Sequence, residues 1–199
     1  MQENMPRYRD EMLEWADIMT NHSLPAWSDL PDLELYMDQV VSLVSQYLSH
    51  LGPMLGEDKP LTPAMINNYV KMGLLRPPVK KRYSRTHLAC LVVICILKRS
   101  LTMAAIQKIM SKDITDEEAR ELYESFRRTR CAGIDFLAER VREWSGDLFL
   151  EDDAEDGSTL AMRLAVMANL LKISAEKLLG ATDAELKPKK EKKEKKEKK

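Results

Sequence analysis

The chain has 199 residues, 44% of them apolar, with 31 basic and 32 acidic side chains and a formal net charge of −1. That composition excludes an unfolded polar chain and suffices for a domain with a sizeable core, while the longest apolar run, residues 88–97, is too short to cross a bilayer. The near-neutral total hides a segregation: residues 59–112 carry eleven Lys and Arg and no acid, residues 1–58 carry two basic and eleven acidic groups, and residues 113–186 carry nine and eighteen.

Taken in chain order, Pro6 followed by Met12, Trp15, Ile18 and Met19 predicts a short amphipathic N-terminal helix. The polar start (Gln2, Glu3, Arg7, Arg9, Asp10) does not read as a signal peptide. Residues 22–31 hold two prolines and form a connector. Asp32 is placed to cap a helix over 33–48, with Tyr36, Val40, Leu43, Val44, Tyr47 and Leu48 as its apolar stripe. Gly52, Pro53, Gly56 and Pro60 mark a loop. Thr62 at the N-cap and Pro63 at the first position then open a helix that ends at Gly73. Arg76, Pro77 and Pro78 forbid helix, so the residues to Tyr83 form a short basic turn or hairpin. Ser84 caps a segment that is apolar on nearly all sides (Leu88, Leu91, Val92, Val93, Ile94, Ile96, Leu97). Its length favours a buried helix over a strand.

Thr102 caps a further helix through Met110, and Thr115 with Glu118 has capping-box spacing. The helix opened there passes Leu122, Tyr123 and Phe126, is interrupted near Gly133, and resumes with Phe136, Leu137, Val141 and Trp144. Residues 151–157 form an acidic loop; a helix follows from Ser158 or Thr159 through Leu171, and Ser174 starts a last short one. From residue 187 the chain is Lys and Glu without an apolar side chain and is expected to be disordered.

Surfaces normally intersperse charges of both signs, so a fifty-residue block of one sign points to a polyanion-binding element. Within it, Met65-Ile66-Asn67-Asn68-Tyr69-Val70-Lys71-Met72-Gly73-Leu74-Leu75-Arg76-Pro77-Pro78 resembles the recognition helix of MerR-type winged helix-turn-helix regulators. Arg82-Tyr83-Ser84 resembles the end of their wing, and Leu101-Thr102-Met103-Ala104-Ala105-Ile106 the stretch after their next helix. Asn67 and Asn68 stand where that family has Arg and Tyr, the wing is shorter by several residues, and no long heptad helix follows. Glu34-Leu35-Tyr36-Met37-Asp38-Gln39-Val40, Met65 through Lys71, and Lys81-Arg82-Tyr83-Ser84 with His87-Leu88 resemble more closely a bacterial family of uncharacterised proteins, domain of unknown function 1836, over roughly residues 30–180.

These resemblances imply an all-α protein with a MerR-like winged helix-turn-helix core, a short wing, and additional helices at both ends. The expected organisation is an N-terminal helix and linker (1–31), the DNA-binding domain (32–112), an acidic helical region (113–186) and a Lys/Glu tail (187–199). The expected interface on double-stranded DNA is Thr62, Asn67, Asn68, Tyr69, Lys71, Lys80, Lys81, Arg82, Tyr83 and Arg85. Asn reads adenine bidentately, Lys and Tyr anchor phosphates, and the helix N-terminus offers unpaired N–H groups. The two asparagines read equally as a polar helix face, and Tyr69 and Tyr83 as half-buried packing groups.

Two-fold pairing, through Leu160, Leu164, Met167, Leu170 and Leu171 with Phe136 and Trp144, is the expected assembly; the same residues also read as intrachain core. The sequence shows no P-loop, G-x-G-x-x-G, H-E-x-x-H or Cys/His nucleophile pairing, so no catalysis, cofactor or metal is expected. His22, His50 and His87 lack metal spacing, and Cys90, Cys95 and Cys131 read as reduced, buried thiols. The expected role is transcription regulation in a bacterial cytoplasm, away from membranes. The alternative is an adaptor whose basic module docks on an acidic protein, or on the chain's own residues 113–186.

Overall fold

The computed structural model describes residues 7–21, 23–49, 60–110, 113–143 and 157–186. They form α1 (Arg7–Asn21), a 3-10 turn (Trp27–Asp29), α2 (Met37–Leu48), α3 (Pro63–Lys71), α4 (Arg85–Leu97), α5 (Met103–Ile109), α6 (Asp116–Glu143) and α7 (Gly157–Leu186). Among the described residues there is no strand, only the isolated antiparallel bridges Leu35–Tyr83 and Val79–Arg82. The all-α expectation holds, and no described helix is long and apolar enough to span a membrane.

Caps fix most of the boundaries. Thr62 Oγ1 accepts from the Met65 N–H (3.3 Å) and Thr102 Oγ1 from the Ala105 N–H (3.2 Å), each satisfying a donor left open at a helix start. At the start of α6, the Glu118 N–H donates to Thr115 Oγ1 (3.2 Å) and the Thr115 N–H to Glu118 Oε2 (2.8 Å), a reciprocal capping box. Past the end of α3, Gly73 takes φ 70°, and the Leu74 N–H turns back to the Tyr69 carbonyl (2.9 Å). At α4 the cap is inverted: the Ser84 N–H donates to His87 Nδ1 (3.0 Å).

Helix α4 is the axle of the fold, with every residue from Thr86 to Cys95 buried. Around it close Val40 and Val44 of α2, Ile66 and Tyr69 of α3, Ile106 of α5, and Ala119 and Tyr123 of α6. Leu24 and Leu30, either side of the 3-10 turn, join the same core. Tyr123 ties that connector down by donating from its hydroxyl to the Pro25 carbonyl (2.8 Å), and the Trp27 N–H donates to Glu124 Oε1 (2.6 Å). Helix α1 lies along α6, burying Ala16.

Several boundaries depart from expectation. Helix α2 starts at Met37, because Leu35 and Tyr83 exchange both backbone hydrogen bonds (2.8 and 2.9 Å) and hold the chain extended up to residue 36. Asp32, expected to cap it, pairs with Arg85 at 3.5 Å. Helix α6 runs through Gly133 without interruption; a lone exposed glycine costs about 1 kcal/mol against alanine, too little to break 28 residues of helix. Two helices expected after residue 157 are one, α7, in which Ser174 donates to the Leu170 carbonyl (2.9 Å) instead of capping. Cys90 and Cys95 are buried and unpaired as disulfides, but Cys131 is only half-buried. Trp144, most of the acidic loop, His22, His50 and the tail lie outside the described residues.

Candidate nucleic-acid interface

Helix α3 has two faces set by its sequence. Ile66 and Tyr69 point into the core, while Ala64, Asn67, Asn68 and Lys71, spaced three, four and seven apart, are all exposed. Such a stripe of small and polar groups with no acid is free to meet a ligand. Asn68 Nδ2 rests 3.4 Å from the Met72 sulfur, a weak acceptor that leaves its amide available.

Beyond the prolines the chain makes a two-residue hairpin: Val79 and Arg82 exchange backbone hydrogen bonds (3.2 and 2.8 Å) around Lys80 and Lys81. Both lysines have positive φ, 49° and 62°, the signature of a type I′ turn. Asn and Gly normally occupy such positions, and holding other residues there costs on the order of 1 kcal/mol each. Two cations therefore sit, exposed, on a turn that their backbones disfavour.

The structure sorts the cations of the basic block by partner. Arg76 is bound to Asp116 (2.6 Å) and Arg85 to Asp32 (3.5 Å). Lys108 donates to the Leu179 carbonyl (3.5 Å). By contrast Lys71, Lys80, Lys81 and Arg82 have no carboxylate at ion-pair distance among the described residues. The Arg82 guanidinium lies 3.7 Å from the centroid of the Tyr36 ring and donates to the Glu34 carbonyl (3.4 Å). The Leu35–Tyr83 bridge holds these two chain segments in register.

Three residues expected at the interface are placed elsewhere. Tyr69 is 2% exposed, with its hydroxyl buried and without a partner; that burial, which also pushes its pKa up to about 12, keeps the hydroxyl out of reach of a phosphate. Tyr83 is likewise core at 3% exposure, its ring edge-on to His87 (5.3 Å). Arg85 is turned inward, 5.8 Å from the Trp27 ring, with Nε buried. Thr62 is half-buried and spends its hydroxyl on the α3 cap. Asn67, Asn68, Lys71, Lys80 and Lys81 are exposed, and Arg82 is half-buried on Tyr36.

Two residues that sequence reading passes over belong beside this surface. Tyr36, 49% exposed, carries Arg82, yet lies on a predicted helix stripe with nothing to mark a partner 46 positions away. Gln107 of α5 donates to the Met72 carbonyl at the end of α3 and fixes that helix from behind.

The family model described as Domain of unknown function (DUF1836) matches residues 25–126. No curated protein and no solved structure matches the chain. The matched stretch ends earlier than the residue 180 expected from the resemblance. It takes in the core from Leu24's neighbour Pro25 to the first third of α6, with the hairpin and α3 at its centre, and leaves out α1 and α7.

Proposed function

The chain belongs to the domain of unknown function 1836 family, a name that assigns no chemistry, so we propose from its geometry that it binds double-stranded DNA as a MerR-like, winged helix-turn-helix transcription regulator. One observation carries the reading: among the described residues Lys71, Lys80, Lys81 and Arg82, which lie on α3 and the hairpin, have no carboxylate at ion-pair distance, whereas Arg76 and Arg85 are committed to carboxylates of the chain itself. Cations that no carboxylate has claimed are what a phosphate backbone recruits.

In this reading α3 enters the major groove. Asn67 and Asn68 face base edges, where an amide bonds adenine at two atoms, and Lys71 meets a phosphate. The hairpin lies along the flanking backbone as the short wing, with Lys80 and Lys81 at its tip. Strain held at the tip fits such a role, since disfavoured backbone conformations concentrate at functional sites.

A homodimer completes it. Met162, Val166, Leu170, Leu171, Ile173 and Leu178 of α7 are each at least half exposed, and residues 164–171 carry no charge, so a second copy meets neither repulsion nor a mismatch of polarity there. Paired half-sites would multiply the discrimination available to one short helix. The compartment that fits this work is the bacterial cytoplasm.

Selection of bound fragments from random duplex DNA tests the proposal. A recovered consensus is expected, and Asn67→Ala and Asn68→Ala should each cost about 1–3 kcal/mol on it while changing random-duplex binding little. Failure to enrich any sequence, alongside capture of a defined acidic protein, would favour the adaptor reading instead.

A further inference from the structure

We propose that Tyr36 is a positioning residue for the nucleic-acid interface, its ring holding the Arg82 guanidinium in place to receive a phosphate. The inference rests on the DNA-binding reading and adds a residue outside the basic block. The guanidinium lies 3.7 Å from the ring centroid, well inside the range of a cation–π contact, and one of its N–H groups is taken by the Glu34 carbonyl. A guanidinium has five N–H donors in a fixed fork, so four remain for an anion.

The acids on the same edge do not claim them. Glu34, Asp32 and Asp38 are exposed, but Asp32 is bound to Arg85, and neither Glu34 nor Asp38 comes within ion-pair distance of Arg82. The backbone makes the arrangement rigid: residues 35 and 83, next to the stacked pair, exchange two hydrogen bonds, and residues 79 and 82 close the hairpin with two more. A long side chain in solution samples many rotamers and loses that freedom on binding. Arg82, already stacked and bonded, has less to lose, so part of the ordering cost of a phosphate contact is met in the free protein. Tyr36 itself is half-exposed and acts through Arg82.

The test is a double-mutant cycle on the full chain, read by fluorescence anisotropy with a labelled duplex. Tyr36→Ala should weaken binding roughly two- to fivefold, the range of an exposed cation–π contact, and make the salt slope shallower. Tyr36→Phe, which keeps the ring, should bind within about twofold of the parent. In an Arg82→Ala background the further change Tyr36→Ala should have no effect, a result that a general loss of stability would not give. Parent-like binding by Tyr36→Ala, or an equal loss with and without Arg82, overturns the inference while the DNA reading stands. Absence of duplex binding by the parent chain removes both.

Discussion

Arg76 and Asp116 meet at 2.6 Å across forty positions of sequence, and the same carboxylate oxygen takes the Thr86 hydroxyl at 2.6 Å. Arg76 also donates to Ser84 Oγ (3.1 Å), so one small polar cluster joins the loop after α3, the start of α4 and the start of α6. Bonding from Thr86, and then from Arg76, holds the Asp116 carboxyl below its ordinary 3.8. Its stabilising effect is thus present above that pH and is lost below it. The Asp116 side chain is 72% exposed, so solvent screens the pair, and Asp116→Ala should cost only about 1 kcal/mol in a urea melt. Because Arg76 is structural, duplex affinity should stay within about twofold; a large gain would mean that the freed Arg76 reaches DNA.

The adjacent His87 gives a pH signature. Burial first, and the Arg76 charge second, lower its pKa from 6.5 to about 4. The unfolded chain takes a proton near 6.5 while the folded chain resists until about 4, so the unfolded state gains protons in that window and stability falls with pH. The loss should be about 2 kcal/mol between pH 7 and pH 5. His87→Phe gives up the Nδ1 acceptor at the α4 cap but should flatten the pH dependence of the urea midpoint. An unchanged dependence in that variant would assign it to other groups.

The hairpin allows stability and binding to be pulled in opposite directions. Lys80→Asn with Lys81→Gly supplies the residues that a type I′ turn favours, and should stabilise the fold by about 1–2 kcal/mol. It also removes two cations, so duplex binding should weaken and the salt slope become shallower by about 2. Thermal melting and a salt titration of the same variant check both. A more stable variant that binds as well as the parent would show the tip to be idle.

Much of this was legible from local chemistry. Thr62, Thr102 and Thr115 mark their helices because a cap acts within three residues, and Gly73 ends α3 because only a glycine takes its φ without strain. What the sequence could not disclose was tertiary. Leu35 has the spacing of a helix residue, and only its pairing with Tyr83 keeps it extended. Tyr69 and Asn68 are neighbours on one short helix, but burial makes one core and leaves the other exposed. Eleven basic residues look alike in the sequence, whereas carboxylates forty or more positions away choose which arginines are structural.

Helix α7 predicts the assembly. Its apolar side chains should be covered by a second copy, so sedimentation at micromolar concentration should give about twice 22.9 kDa. Leu170→Glu with Leu171→Glu should shift the species to monomer without unfolding the core, since both residues are more than half exposed. A parent chain that sediments as monomer, free and on DNA, would remove the dimer.

The central claim is that Lys71, Lys80, Lys81 and Arg82 meet a phosphate backbone, and a salt titration of duplex binding by the full chain tests it most directly. Four phosphates neutralised at about 0.9 each predict a slope of log K against log salt of about −3 to −4. Folded protein that shows no duplex binding at about 50 mM salt, or binding whose slope is close to zero, would contradict the account.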